Sequence, residues 1–323
     1  MGKAKDKSAV NFSAEPVRGE SPLTVQFTDT SIFEEGAITS WSWDFENDGK
    51  TDSTLQNPSF TYRYSGTYSV KLTVITAAGT ESKLKSNYIS VQPGPNEEIG
   101  SRGSGGEVGL QSKTITVGGI QRSFQLYVPE TYDWYEPIPV LVYLHGAGGS
   151  SSEGISLWQS DASAYYLIVA TPQSGVVDGT YKWDFADTSN TSEDIDFIQA
   201  MLDYIEDDYN VAIKREYSVG FSNGAFYSIV LGLKLSRRLA ACCSHSGGLT
   251  GYTYVYPSRL IPIYLIHGEA DATVPIVRSE DAYSNFTAWG IEVRFDRLPG
   301  VGHNYVRSKN ADIWTWFTNH PLP

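Results

Sequence analysis

Two rhythms divide the chain. Up to about residue 92, apolar and polar side chains alternate in short runs, at 24–27, 39–45, 67–75 and 87–91. Turn-forming clusters such as Asn47-Asp48-Gly49 and Ala78-Gly79 lie between them. A period of two marks half-buried strands, and nothing in this stretch reads as a helix of useful length. The pattern predicts a small β-sandwich over residues 8–92. From residue 108 to 323, the segments 123–128, 140–144, 167–171, 216–220, 240–244, 263–267 and 293–298 read as strands. They alternate with helical periodicity at 192–209, 223–235, 279–289 and 310–318. In the first of these, Ile195, Ile198, Met201, Leu202 and Ile205 share one face, behind Thr191 or Ser192 as a cap and acids in the first turn. Strands alternating with helices predict an α/β domain on a mostly parallel, doubly wound sheet. Ligands of such sheets bind beyond the carboxyl ends of the strands, so chemistry is to be sought there.

Residues 93–107 follow neither rhythm. Pro93-Gly94-Pro95-Asn96-Glu97-Glu98 and Gly100-Ser101-Arg102-Gly103-Ser104-Gly105-Gly106 predict an exposed, partly flexible linker. Composition adds exclusions. The formal charge is −13, and both segments are acidic. Nucleic acid is therefore disfavoured as a partner, because phosphate backbones call for clustered Lys and Arg. No apolar run approaches the ~18 residues of a membrane span. The only cysteines, Cys242 and Cys243, are adjacent within an apolar run, which predicts buried thiols in a core strand and no distant staple. Residues 1–9 are polar, with Lys3, Lys5 and Lys7 and no apolar core, so a signal peptide is expected to be absent or already removed.

Within the first segment, Trp41-Ser42-Trp43-Asp44-Phe45, Asn57-Pro58-Ser59-Phe60 and Tyr64-Ser65-Gly66-Thr67-Tyr68-Ser69-Val70-Lys71-Leu72-Thr73-Val74 closely resemble a PKD domain. The resemblance covers roughly residues 8–92. It implies an immunoglobulin-like sandwich, usually found in extracellular proteins as a spacer or a polymer-contacting module. Asp44, Glu46, Asp48 and Gly49 imitate the opening of a calcium loop, but its twelfth position is Leu55, which supplies no bidentate ligand. Carboxylates capping the N–H groups of a turn are the expected role, with loose calcium binding at Asp44 and Asp48 left open.

In the second segment, the strand at 216–220 runs into Gly220-Phe221-Ser222-Asn223-Gly224 and then a helix. That is the context of a nucleophile elbow, although G-x-S-x-G alone also fits a surface turn. Three further features fall at strand ends in chain order. His145-Gly146-Ala147-Gly148-Gly149 follows the strand at 140–144, Asp271 follows 263–267, and His303 follows 293–298 in Gly300-Val301-Gly302-His303-Asn304. The order Ser, Asp, His is that of an α/β-hydrolase triad. Ser222 is expected as nucleophile, His303 as base and Asp271 as the group holding its tautomer, with the backbone N–H groups of Ala147 and Asn223 as the oxyanion hole.

Together these residues resemble the α/β-hydrolases that include polyhydroxybutyrate depolymerases and feruloyl or acetylxylan esterases (carbohydrate esterase family one), from about residue 113 to 317. The segment Glu193-Asp194-Ile195-Asp196-Phe197-Ile198 resembles the acidic opening of the helix before the elbow strand, and Trp183 matches an aromatic at the substrate cleft. Cys242-Cys243-Ser244-His245-Ser246-Gly247 departs from the resemblance, which leads one to expect small apolar residues there. So does the lack of disulfides that extracellular members often carry.

Other polar residues are assigned ordinary roles. His145 is expected to shape the oxyanion loop and to border substrate, and His245 and His267 to be hydrogen-bonded structural residues. His320 is expected in solvent. Asp296 lies within a strand, and Asp184 and Asp187 are expected to cap loops. No His, Cys and Asp cluster has metal-ligand spacing, so neither metal nor other cofactor is expected. Residues 108–323 are close to the minimum for a hydrolase core, which leaves little chain for a lid beyond 173–190. An open cleft with Trp158, Tyr181, Trp183 and Phe185 nearby suits a flat acyl group or a polymer. The expectation is a secreted, monomeric serine carboxylesterase acting without membrane or nucleic acid on polymer-linked esters, such as feruloyl polysaccharide, polyhydroxybutyrate or PET, with Trp158, Trp183 and His145 contacting substrate. A serine peptidase on the same fold is the alternative within enzymes, and it should show an added propeller or lid domain. A non-catalytic adhesin or surface spacer is the alternative outside them, disfavoured because Ser222, Asp271 and His303 are all intact.

Overall fold

The first segment folds into seven strands, and the longer ones, such as β3 and β6, bury alternate side chains. A computed structural model describes residues 9–33, 36–94, 98–103, 105–184, 193–249 and 256–323. It divides into two units, Met1–Glu98 and Ile99–Pro323. The strands of the first unit are β1 (Phe12–Glu15), β2 (Arg18–Glu20), β3 (Leu23–Asp29), β4 (Ser40–Asp44), β5 (Ser59–Tyr62), β6 (Gly66–Thr76) and β7 (Gly79–Gln92). They form one sheet in the order β1-β3-β5 and a second in the order β2-β7-β6-β4. All pairings are antiparallel except β2 with β7. Tyr68, Val70, Leu72 and Val74 of β6 are buried, while Lys71 and Thr73 between them remain partly exposed, as period-two patterning requires. Trp43 is the centre of this core, with ring centroids 5.2 Å from Phe12 and 5.6 Å from Phe27, and its indole N–H donates to Leu55 O at 2.8 Å. That bond satisfies the polar atom of a fully buried indole. The carboxylate of Asp44 accepts from the N–H groups of Asp48 and Gly49, at 3.1 and 3.0 Å, so the turn uses it as a cap. Among the described residues no group of three or more His, Cys, Asp or Glu side chains is arranged to hold a metal.

The second unit contains β8 (Gly109–Val117), β9 (Ile120–Val128), β10 (Ile138–Leu144), α1 (Ser151–Tyr165), β11 (Ile168–Pro172), β12 (Val176–Val177), β13 (Thr180–Tyr181), α2 (Glu193–Asp208), β14 (Val211–Phe221), α3 (Asn223–Lys234), β15 (Ala241–His245), β16 (Ile263–Gly268), α4 (Val277–Ala288), β17 (Val293–Leu298) and α5 (Asn310–Thr318). Eight strands form one sheet in the order β17-β16-β15-β14-β10-β11-β9-β8. It is parallel from β17 to β11 and antiparallel where β9 joins β11 and β8 joins β9. Each central strand is buried on both faces. Val140, Val142 and Leu144 pack with residues of α2, α3 and α4, whereas Leu141 and Tyr143 pack with α1 and α5. Both cysteines are buried in β15 and form no disulfide, and burial pushes their thiols well above the usual range. No helix among the described residues is long and apolar enough to cross a membrane.

Three elements depart from the periodicity. Helix α1 carries five serines and a glycine, and it buries only Gly154, Ile155, Trp158 and Ala162, so its apolar stripe is faint. Strand β14 starts at Val211, five residues before the segment expected as strand, because Ile213, Lys214 and Arg215, at least partly exposed, break the pattern. Helix α2 is described from Glu193, so Thr191 and Ser192 lie outside the described residues. The stretch expected as linker also divides. From Ile99 on it belongs to the second unit and is bonded there: Ser101 N–H donates to Val211 O at 2.8 Å, Arg102 N–H to Asn210 Oδ1 at 3.0 Å, and the N–H groups of Gly105 and Gly106 to Asp208 O at 3.0 and 2.9 Å. A Cβ on Gly103 would stand 2.6 Å from Glu206 O, and one on Gly106 would stand 2.1 Å from the Tyr209 ring. These two glycines are present for close approach.

Candidate active site

Parallel strands deliver their following loops to one edge of the sheet, and the loops after β10, β14, β16 and β17 meet there. The turn between β14 and α3 is the tightest. A Cβ on Gly220 would lie 2.0 Å from Gly224 O, and one on Gly224 would lie 2.1 Å from Leu144 O, so neither position admits a side chain. Ser222 between them adopts φ 53° and ψ −117°, a backbone that L-residues rarely hold and that costs about 1–3 kcal/mol. Its N–H donates to His245 O at 3.0 Å, and its carbonyl accepts from Ala225 N–H at 2.9 Å. The side chain is thereby held at the start of α3.

Two other loops converge on it. His303 Nε2 lies 2.9 Å from Ser222 Oγ, and His303 Nδ1 lies 2.7 Å from Asp271 Oδ2. With Nδ1–H donating to the carboxylate, the Nε2 lone pair faces the serine hydroxyl. The second oxygen of Asp271 accepts from the N–H groups of Thr273 and Val274 at 2.9 and 2.8 Å. Burial works to raise the Asp271 pKa, but the bonds from His303 and the two amides outweigh it and hold the carboxyl below its ordinary value. His267 Nε2 bonds to Val274 O at 2.8 Å and stands 3.4 Å from Asp271 Oδ2, while its Nδ1 lies 2.8 Å from Ser279 Oγ. A hydroxyl, an acceptor nitrogen and an ionised carboxylate in line can transfer a proton away from the oxygen as it attacks a carbonyl carbon.

The loop after β10 supplies the other wall. An added Cβ on Gly146 would meet Ser222 Cβ at 3.4 Å. Gly148 N–H donates to Tyr181 O at 2.7 Å and Gly149 N–H to Gly146 O at 3.0 Å, which fixes the loop on either side of the exposed Ala147. The Ala147 N–H donates to no acceptor among the described residues. Asn223 is the first residue of α3, and an N–H in the first turn has no partner within its helix. Asn223 directly follows Ser222, and a backbone N–H at a helix start is suited to an anion.

Three expected substrate contacts are corrected. Trp158 is 0% exposed and donates its indole N–H to Tyr305 Oη at 3.0 Å. Trp183 is 1% exposed; its indole N–H donates to His145 O at 3.0 Å, and its ring stacks on Tyr227 at 5.2 Å. His145, also 1% exposed, binds Gly146 O through Nδ1 at 2.7 Å and accepts Ser174 N–H on Nε2 at 3.2 Å. Burial lowers its pKa, so the ring is a neutral brace of the loop. All three lie behind the wall of the site, because a bulky aromatic next to a tight glycine loop fills the space the loop encloses. The Asn223 side chain, which no sequence pattern marks, clamps Trp183 by accepting its backbone N–H at 2.7 Å and donating to its carbonyl at 3.1 Å. Of the expected cleft aromatics among the described residues, Tyr181 is the one that reaches solvent, 51% exposed and paired across the hairpin with the 60% exposed Val176. Phe185 and Asp187 lie outside the described residues. Asp296 is bonded to Tyr264, Arg294 and Lys309. His320 is not a solvated tail residue, since it binds Trp316 O at 2.7 Å and Glu292 at 3.2 Å.

The sequence pattern of the PKD domain matches residues 10–91, and that of the phospholipase/carboxylesterase family matches residues 178–320. The bifunctional acetylxylan esterase/xylanase XynS20E of Neocallimastix patriciarum is 26% identical over 63% of this chain and 35% of its own length. Feruloyl esterase C of Emericella nidulans is 27% identical over 48% of this chain and 56% of its own length. The chain thus spans about a third to just over half of these relatives. The crystal structure of a thermostable esterase aligns with a TM-score of 0.55 at 14% identity, covering 94% of this chain and 98% of that one. A ferulic acid esterase aligns at 0.54 with 16% identity, covering 65% of this chain and 97% of the other. At such identities the structural likeness shows the fold.

Proposed function

We propose that this chain, a PKD domain followed by a carboxylic ester hydrolase of the α/β-hydrolase fold, cleaves esters carried on a polymer outside the cell through an acyl-enzyme on Ser222. The observation that carries the reading is the unbroken line from Ser222 Oγ through His303 to Asp271, with links of 2.9 and 2.7 Å. Ser222 Oγ attacks the ester carbonyl carbon as His303 Nε2 takes its proton. The tetrahedral oxyanion is held by the N–H groups of Ala147 and Asn223, where loss of one such donor typically costs about 3 kcal/mol. His303 then protonates the departing alcohol oxygen as the acyl C–O bond breaks. Water, deprotonated by the same nitrogen, attacks the acyl-enzyme and frees the acid, returning the proton to Ser222. No step calls for a metal or other cofactor, and the enzyme works as a monomer.

The exposed Tyr181 and Val176 beside the oxyanion loop favour a flat or apolar acyl group. The names of the relatives, a feruloyl esterase and an acetylxylan esterase, favour a polysaccharide as the carrier. A synthetic or bacterial polyester presents the same bond. The test is hydrolysis of p-nitrophenyl butyrate, methyl ferulate, an acetylated sugar and bis(2-hydroxyethyl) terephthalate by the native chain and by Ser222→Ala. Turnover by the native chain is expected to favour the aromatic acyl groups. Ser222→Ala is expected to lose at least about 10⁴-fold in kcat with an unchanged circular dichroism spectrum. Retained turnover in the purified variant overturns the assignment, and no turnover by the native chain on any ester returns attention to peptides.

A further inference from the structure

His303 is held from both sides of the chain. Upstream, Val301 O accepts the N–H of Ala270, which belongs to the loop that carries Asp271, at 2.9 Å. Downstream, the N–H of Val306 donates to His245 Nε2 at 3.0 Å. The carbonyl of that same His245 accepts the N–H of Ser222 at 3.0 Å. A single residue at the end of β15 therefore grips the nucleophile turn with its backbone and the histidine loop with its ring. The ring is wedged in place: it stacks on Tyr305 with centroids 4.7 Å apart and meets the edge of Phe221 at 6.0 Å. Tyr305 is itself tied down, donating to Asn310 Oδ1 at 2.8 Å and accepting from the Trp158 indole.

We propose that His245 is a positioning residue for the reaction, setting the Ser222–His303 distance through the hydrogen bond that its Nε2 accepts from Val306. The proposal rests on the Ser222, His303 and Asp271 reading above. Its chemistry depends on which nitrogen is bare. An amide N–H can be accepted only on an unprotonated Nε2, which places the ring proton on Nδ1, facing Ser246 Oγ at 3.5 Å. Full burial, reinforced by the neighbouring His267 and His303, pushes the His245 pKa down to about 3, so the lone pair persists over any working pH. A leucine of similar bulk would leave the Val306 N–H without its acceptor in a packed interior, and the chain that carries His303 would move to find another.

Three variants separate an acceptor from mere bulk. Glutamine places Oε1 near the position of Nε2 and restores the acceptor, whereas asparagine is too short to reach and leucine has none. His245→Leu and His245→Asn are expected to lower kcat about 10²-fold, the usual consequence of misplacing a reacting group by about 1 Å, with KM within about 3-fold of the native value. His245→Gln is expected to recover most of that loss. Circular dichroism and the thermal midpoint are read on each, and if the leucine variant does not fold, the asparagine variant carries the comparison. A folded leucine or asparagine variant that keeps kcat within about 3-fold overturns the proposal. So does a glutamine variant as impaired as leucine, because the acceptor would then not be the operative feature. Ser222→Ala, assayed alongside, distinguishes the two failures: turnover in that variant sinks the triad reading itself, while its loss beside a fully active His245→Leu sinks only the role of His245.

Discussion

A buried histidine that must stay neutral leaves a signature in stability, apart from any effect on rate. His245 is neutral in the folded chain down to about pH 3, while in the unfolded chain it takes up a proton near pH 6.5. A depressed folded-state pKa means that its contribution is complete above about pH 6.5 and is lost as pH falls toward 3. Urea unfolding from pH 7 to 4 should therefore show the native chain losing stability faster than His245→Gln, and parallel curves would contradict the neutral assignment. Glu216 has the opposite sign. Burial within β14 outweighs the attraction of Arg238 and raises its pKa to about 7. Its contribution is complete below the ordinary carboxyl value and is lost as pH rises through 7. The stability difference between the native chain and Glu216→Gln should accordingly shrink as pH rises from about 4.5 to 7, and a flat difference would rule this out. Such residues are hard to read in a sequence, since the same His or Glu letter stands for a solvated or a buried group. Trp158 and Trp183 show the point from the apolar side: an aromatic near a cleft in sequence is indistinguishable from one that packs behind it.

At the scale of elements, legibility follows burial on two faces. Strands β10 and β16 are nearly continuous apolar runs and stand out, β14 and β15 carry apolar stretches broken by polar residues, and Ser222, Asp271 and His303 each fall just past a strand, after β14, β16 and the part-buried β17. Helix α1 does not stand out, because its serines face solvent and only Gly154, Ile155, Trp158 and Ala162 are buried. The bonded segment after Ile99 was the least legible part, since glycine that permits slack and glycine that permits contact are the same letter. The two uses differ on mutation. Gly103→Ala places a methyl 2.6 Å from backbone atoms of Glu206 and Tyr209 and should cost about 1–3 kcal/mol in urea unfolding. Gly175→Ala meets nothing closer than 3.9 Å and should stay within about 0.5 kcal/mol. Equal, negligible effects would mean that the segment is not fastened as described.

At the scale of the whole molecule, the two units carry separate cores, so the loss of one need not unfold the other. If the PKD domain serves contact with a solid polymer, deletion of residues 1–92 should leave kcat/KM on methyl ferulate or p-nitrophenyl butyrate unchanged. Release of product from a feruloylated or polyester solid should fall. Equal losses on soluble and solid substrates would mean instead that the first unit supports the fold of the second. The net charge of −13 has a related consequence, because a polyanionic surface would repel a polymer of the same sign, and that favours neutral esters as targets.

The backbone of Ser222 sets the chain's two virtues against each other. At φ 53° and ψ −117°, glycine is the residue that fits without strain, and every side chain, serine included, is held there by the surrounding fold. Ser222→Gly should therefore melt above both Ser222→Ala and the native chain, at no remaining activity. A library randomised at this position and sorted for thermal survival alone would drift toward glycine and discard the enzyme. Only a selection that demands turnover would hold the serine, so this one torsion angle records what the molecule has been kept for.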